Sequence, residues 1–393
     1  MKSKINQLAN AFFPAVVQQR RYLHANPELS FDEVNTHAFI ANELKKLNIP
    51  FEKVAGNGLL GFIEGKNRSN IIALRADMDA LPIQEKNDFD FCSTNIGVMH
   101  ACGHDMHMAS LLGAAKILMQ IKDELNGSVK LIFQPAEEKI PGGAKAMIEA
   151  GVLSNPDVDF IFGQHVLPEL ESGKIGLKAG PFMASSDEIY ITIKGKGGHA
   201  AMPWKLIDPI KIASQLVLNL QQVSESLAPS NIPTVISIGR FIGDGANNVI
   251  PEEVKLDGTF RTFDEKWRKQ AHDHIRRIAT ETAEAQGATV EVEIRNGYPS
   301  LFNNELLYEE VKKAAYDYMG VQQVEDLDLR MTAEDFAYFA KEKPAVFYRL
   351  GVFNKDMKNT SPLHSATFNP DEKALITAIG FMAYLAYFKL LHA

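Results

Sequence analysis

The sequence predicts an α/β protein: a mixed, largely parallel sheet with flanking helices, interrupted by an inserted ferredoxin-like βαββαβ domain. Three observations carry this expectation. Short apolar runs such as Ile71-Ile72-Ala73-Leu74 and Leu131-Ile132-Phe133 are what strands buried on both faces show. These runs alternate with helical segments before residue 184 and again after residue 294, whereas the order between them is strand-helix-strand-strand-helix-strand, that of a split-βαβ unit. The 393 residues also exceed what one ordinary core accommodates. The expected division is therefore 1–183 with 295–393 as one domain and 184–294 as the insertion.

In chain order, 4–22 and 31–48 read as helices. Ser30, with Glu33 three residues on, makes a capping-box pattern for the second helix, and Pro27 enforces a turn within Leu-His-Ala-Asn-Pro-Glu-Leu (23–29). Strands are expected at 59–64 and 70–75, a helix at 107–125, a strand at 129–134, a helix at 143–150 and a strand at 160–165. The insertion reads as a strand at 187–194, a helix at 208–227, strands at 234–242 and 254–263, a helix at 264–286 and a strand at 289–294. Helices at 304–318 and near 334–340, a strand at 345–351 and a terminal helix at 374–388 complete the chain. It contains neither a solenoid repeat nor a low-complexity linker.

Composition narrows the function classes. A chain that is 46% hydrophobic and 23% charged, with mean hydropathy -0.13, has the balance of a soluble globular protein. Net charge -8 and pI ≈ 5.8 argue against a nucleic-acid groove or an anionic membrane surface. Cys92 and Cys102 are the only cysteines, which excludes a disulfide framework and fits a reducing cytoplasm. The apolar run 11–17 is broken by Pro14 and lacks a cleavage site, so no signal peptide is read. The apolar stretch 374–388 falls short of the roughly 17–25 residues of a membrane span. Asp371, Glu372 and Lys373 flank it and Thr377, Gly380, Tyr384 and Tyr387 interrupt it, which favours a buried terminal helix.

The chemistry concentrates at 99–107, Met-His-Ala-Cys-Gly-His-Asp-Met-His. Cys102 and His104, separated by Gly103, suit zinc or a similar divalent ion; the alternative is a polar loop whose histidines cap the next helix. In open α/β sheets, ligands bind beyond the carboxyl ends of strands. Asp77 and Asp79 follow the strand at 70–75, Glu137 and Glu138 follow 129–134, His165 ends 160–165, and His364 follows 345–351. Each histidine alone could be structural. Together Cys102, His104, Glu138, His165 and His364 make five candidate ligands, with Asp77 and Asp105 nearby. A structural zinc site closes with four, so five mixed ligands suit two ions. Of the adjacent glutamates, one can ligate while Glu137, aimed differently, takes a proton from water and hands it to a leaving amine. The alternative for Glu137 is a supporting or helix-capping carboxylate.

Ten ordered motifs then carry a resemblance. They are His-Ala-Asn-Pro-Glu (24–28), Arg-Ala-Asp-Met-Asp-Ala-Leu-Pro (75–82), His-Ala-Cys-Gly-His-Asp-Met-His (100–107), Gln-Pro-Ala-Glu-Glu (134–138) and Gly-Gln-His (163–165). Gly-Gly-His-Ala-Ala-Met-Pro (197–203), Asn-Asn-Val-Ile-Pro (247–251), Gly-Thr-Phe-Arg-Thr (258–262), Glu-Asp-Phe (334–336) and Leu-His-Ser (363–365) follow. The chain resembles the aminoacylase-like, di-metal exopeptidase superfamily. Within that superfamily it is similar to the N-acyl-amino-acid amidohydrolase branch of hippurate and auxin-conjugate hydrolases.

The resemblance implies a catalytic domain (1–183 and 295–393) and a lid domain (184–294) that mediates homodimerisation. It implies Cys102, His104, Glu138, His165 and His364 as ligands of two divalent ions (zinc, manganese, cobalt or nickel), and Glu137 as general base. His199 is similar to a histidine that reaches across the dimer to the oxyanion, and Asn248 and Arg261 match positions that hold the substrate carboxylate. An Arg fork suits that task. The alternatives are a hinge-loop role for His199 and an ordinary strand-end charge for Arg261. One departure stands out: Arg75-Ala76-Asp77 replaces the His-x-Asp of other branches, removing a ligand for which Cys102 compensates and casting Asp77 as an orienter behind the ligands.

The resulting expectation is a cytoplasmic, metal-dependent amidohydrolase acting on a small-molecule N-acyl amino acid, with neither nucleic-acid nor membrane partner. Alternatives are a dipeptidase or N-acetyl-diaminopimelate-type deacetylase of the same mechanism, and a non-catalytic metal-binding dimer, against which the Glu137–Glu138 pair argues. A thiol enzyme using Cys102 would need a base paired with the sulfur.

Overall fold

The apolar runs at 71–74 and 131–133 form Ile71–Asp77 and Ser128–Gln134, buried along their whole length in the computed structural model, which describes residues 1–357 and 361–392. Both belong to an eight-stranded sheet ordered Phe51–Val54, Gly58–Ile63, Ser128–Gln134, Ile71–Asp77, Phe160–Glu171, Ala345–Phe353, Ile175–Leu177 and Val324–Asp326. The four central strands run parallel, and Gly58–Ile63 is antiparallel to its neighbours. The strands at 51–54, 175–177 and 324–326 are absent from the sequence reading. Each has four residues or fewer, too few for a period to register.

Helix Lys2–Ala25 continues through Pro14. It buries Ile5, Ala9, Val16 and Leu23 in a core shared with His104–Gln120 and Ala374–Leu391. The terminal helix runs on to Leu391, beyond the expected end at 388. It is long and apolar enough to cross a membrane, and most of it is buried within this core.

The chain divides into two compact units, Met1–Gly180 with Phe302–Asp328 and Asp335–Ala393, and Pro181–Leu301 with Leu329–Glu334. The segments 181–183, 295–301 and 329–334, placed with the outer domain on sequence, thus fall in the second unit. That unit carries a four-stranded antiparallel sheet ordered Thr234–Ile242, Glu253–Thr262, Asp187–Lys194, Thr289–Asn296, with helices Pro209–Leu220 and Glu265–Glu284. Strand Asp187–Lys194 alternates buried and half-buried residues, turning Ile189, Ile191 and Ile193 into a core with Ile212, Leu216 and Ile275. Asp208 and Asp264 cap the helices by accepting amides of their first turns.

Asp187 anchors this unit. Its buried carboxylate accepts from Arg268 Nε at 2.9 Å, His272 Nε2 at 2.7 Å and the Gly297 amide at 3.2 Å. Asp187→Asn should destabilise the unit by roughly 3 kcal/mol, the low end for breaking a buried pair, because Glu265 remains beside Arg268. Burial opposes the charge of Asp187, but Arg268 and His272 outweigh it and hold its carboxyl below the ordinary 3.8. The stabilisation is therefore complete above that value and is lost as pH falls through the lowered one. Denaturant unfolding against pH should show this acid limb in the natural chain and a flatter one in the variant.

Candidate active site and metal centre

Helix His104–Gln120 starts inside the 99–107 motif, three residues earlier than expected, because Gly103 turns the chain at φ 87. A Cβ there would meet Val166 Cγ2 at 2.5 Å, so glycine satisfies both the left-handed backbone and the close approach. The turn brings Cys102 and His104 together with His165, their ligand atoms all lying within 4.8 Å of one another. The same limit holds for Cys102, Glu138 and His364, and for His104, Glu137 and Glu138. Cys102 Sγ belongs to the first two groups, 3.4 Å from His165 Nε2 and 3.3 Å from His364 Nε2. Glu138 Oε1 lies 3.4 Å from His364 Nε2 and 3.9 Å from His104 Nε2. All five sequence-derived ligand candidates thus converge in the first unit.

One of them arrives differently from expectation, and another is held in an uncommon backbone conformation. His165 is not at a strand end but midway along Phe160–Glu171. His364 lies in irregular chain at φ 61, its amide donating to Ala101 O at 2.8 Å. A non-glycine residue held there costs about 1–3 kcal/mol and persists only where its surroundings impose it.

The adjacent glutamates are aimed by their backbone. Ala136 has φ 52 and donates its amide to Glu33 Oε1 at 2.7 Å. The amides of Glu137 and Glu138 then donate to the two oxygens of Asp79 at 3.0 and 2.9 Å, and Ser30 Oγ donates to Asp79 Oδ2 at 2.6 Å. Ser30 and Glu33 therefore do not form the expected capping box. Glu28 caps helix Val34–Lys46 in their place, accepting from the Asn35 and Thr36 amides at 3.1 and 2.8 Å.

Asp77 accepts Arg75 Nη1 at 2.7 Å and lies 2.6 Å from His107 Nδ1. Arg75 also donates to Gln134 Oε1 at 2.8 Å and Asp335 Oδ1 at 2.9 Å, tying two strands to the turn before helix Ala337–Glu342. Asp105 is turned away into a buried cluster with Arg20 at 2.7 Å and His24 at 2.9 Å. Sequence reasoning missed Asp79 as the anchor of both glutamate amides and His107 as the partner of Asp77. Their only signal was membership of the two motifs at 75–82 and 100–107.

The residues fit a divalent cation. His104 Nδ1 donates to the Asp79 carbonyl at 2.8 Å, which directs Nε2 inward. His104 Nε2 and Glu138 Oε1 are buried without a hydrogen-bond partner, an arrangement that calls for an additional group between them. Burial works against a charged His104, yet Asp77, Asp79 and Glu138 raise its pKa to about 10. Burial and the carboxylates of Glu138, Glu137 and Asp77 push the Cys102 thiol up. The N, O and S donors of these residues match a first-row ion.

His199, Asn248 and Arg261 belong to the second unit. His199 is exposed on Gly198–His199, which pairs with Val249–Ile250, and the Asn248 carbonyl accepts the Ala200 amide at 3.0 Å. Arg261 is half-buried on Glu253–Thr262, donating Nε to Thr259 Oγ1 at 3.2 Å.

The chain is 43% identical over 303 residues to an N-acyl-L-amino acid amidohydrolase of Geobacillus stearothermophilus, covering 77% of this chain and 81% of that one. It is 40% identical over 364 residues to thermostable carboxypeptidase 2 of Saccharolobus solfataricus, covering 92% and 91%. A solved Bacillus subtilis structure, described as a dinuclear metal-binding peptidase from the M20 family, superposes with TM-score 0.85 at 38% identity, covering 98% of this chain and 100% of that one. Residues 73–387 match the description peptidase family M20/M25/M40. With the Cys-x-His turn, the paired glutamates and both distant histidines inside that span, the chain belongs to this peptidase family.

Proposed function

We propose that this protein is a metal-dependent amidohydrolase that cleaves N-acyl amino acids to a carboxylic acid and a free amino acid. The observation that carries the reading is Cys102 shared between two ligand triplets, with Glu137 beside them. A relative described as an N-acyl-L-amino acid amidohydrolase and one described as a carboxypeptidase share one chemistry, cleavage of an amide whose amine side is an amino acid.

In this reading Cys102, His104, Glu138, His165 and His364 hold two divalent ions, drawn from zinc, manganese, cobalt or nickel. Such ions polarise a carbonyl and make water acidic enough to attack at neutral pH. Glu137 removes the proton of the attacking water and returns it to the departing amine. Its amide is fixed by Asp79, and its Oε1 accepts the Asp335 amide at 3.4 Å, which orients the carboxylate. Asp77 supports the histidines from behind. His199 stabilises the oxyanion, Asn248 and Arg261 take the substrate carboxylate, and the segment 184–294 serves as lid and homodimer contact. Cys92 and Cys102, both unpaired, suit a cytoplasmic setting.

The test is metal content alongside hydrolysis of N-acetyl, N-benzoyl and N-indolylacetyl amino acids and simple dipeptides, with metal-free and metal-restored protein in parallel. Near two ions per chain, with activity lost on chelation and regained on restoration, is the expected result. Turnover that survives chelation would favour the thiol enzyme, although a thiol whose pKa is raised is the opposite of an activated one. Bound ions without turnover on any substrate would favour a non-catalytic dimer.

A further inference from the structure

Resting on the metal-centre reading above, we propose that His107 is a positioning residue that clamps the Val166 peptide and thereby sets the separation of Cys102 Sγ from His165 Nε2. The Val166 amide donates to His107 Nε2 at 2.9 Å, so that nitrogen carries no proton. The ring proton is then on Nδ1, donated to Asp77 Oδ1 at 2.6 Å, and Asp77 is itself held by Arg75. His107 is thus fixed from both sides, and with its Nε2 lone pair committed its hydrogen bond toward the ligands runs through Val166.

Val166 meets the centre twice. Its carbonyl accepts His165 Nδ1–H at 2.8 Å, leaving His165 Nε2 to face Cys102 Sγ at 3.4 Å. Its side chain occupies the space a Cβ on Gly103 would need, 2.5 Å away, so it bears on the turn joining Cys102 to His104. The His107 ring also lies edge-on to His165, with centroids 4.7 Å apart. One buried peptide therefore registers the sulfur, the turn and the second imidazole, and the chain Arg75–Asp77–His107 fixes that peptide.

The test is cobalt(II) titration of the full chain and of His107→Leu, His107→Gln and His107→Asn. It follows thiolate-to-cobalt charge-transfer absorption and, by equilibrium dialysis, affinity. His107→Leu should lose much of the charge-transfer intensity and bind the ion held by Cys102 and His165 about 10- to 100-fold more weakly, as outer partners of metal ligands do. His107→Gln, whose amide can donate to Asp77 and accept from Val166, should recover most of both. His107→Asn, one methylene shorter, should not, and this contrast decides the matter even if the leucine variant does not fold. Glutamine and asparagine variants with the same spectrum and affinity, or a leucine variant matching the unaltered protein, would overturn the assignment. Failure of the unaltered protein to bind cobalt would instead overturn the metal-centre reading on which it rests.

Discussion

Glu137→Gln is expected to lower kcat by about 10²- to 10⁴-fold, the range lost with a positioned proton-transfer group, while metal content and KM stay near those of the unaltered protein. The separation of effects follows from the backbone. Asp79 holds the Glu137 and Glu138 amides on different oxygens, so the carboxylates leave the chain at different points and need not share a task. Glutamine keeps the shape and an oxygen for the Asp335 amide, but cannot accept a proton from water. Steady-state kinetics on the best substrate of the panel, with metal analysis of the same sample, makes the check. A variant that turns over normally would remove Glu137 as the base. One that loses metal would make it a ligand.

Cys102→Ser should weaken both ions, by more than the roughly 10- to 100-fold typical of outer partners, whereas His364→Ala should weaken only one. Cys102 belongs to both the His104–His165 and the Glu138–His364 groups, and His364 to only one of them. Two-site equilibrium dialysis distinguishes the cases, and a serine variant retaining one ion at natural affinity would refute a shared sulfur. The same residue gives a pH dependence. Burial and nearby carboxylates hold the Cys102 thiol protonated well above neutrality when the pocket lacks a cation. Ion binding must displace that proton, so affinity should rise as pH increases through the neutral range.

Much of the site was legible in the sequence because its signals are local. Cys102-Gly103-His104 and Glu137-Glu138 are contiguous motifs, and the apolar runs at 71–74 and 131–133 announce the buried strand that precedes Glu137 and the one that ends in Asp77, two residues later than expected. His364 could be nominated by its position after an expected strand and His165 by its position at the end of one, though the strand through His165 runs on to Glu171. Where a local pattern had two outlets, it misled. Ser30 and Glu33 have capping-box spacing, yet their hydrogen bonds go to Asp79 and Ala136. Pro14, usually a helix breaker, is carried within Lys2–Ala25, whose apolar face is buried against two other helices.

By itself, the sequence determined the α/β class, the split-βαβ order of the insertion and the residue types able to ligate metal, because periodicity and spacing act within a few residues. Tertiary structure alone decided which polar groups meet. Glu33 holds an amide 103 positions away, and Cys102 faces an imidazole 262 positions away. It also decided that Val166 fills the space left by Gly103 and that His107 Nε2 accepts the Val166 amide. A side chain's hydrogen-bond partner is chosen by what else is buried beside it, and burial is settled by the packing of distant strands.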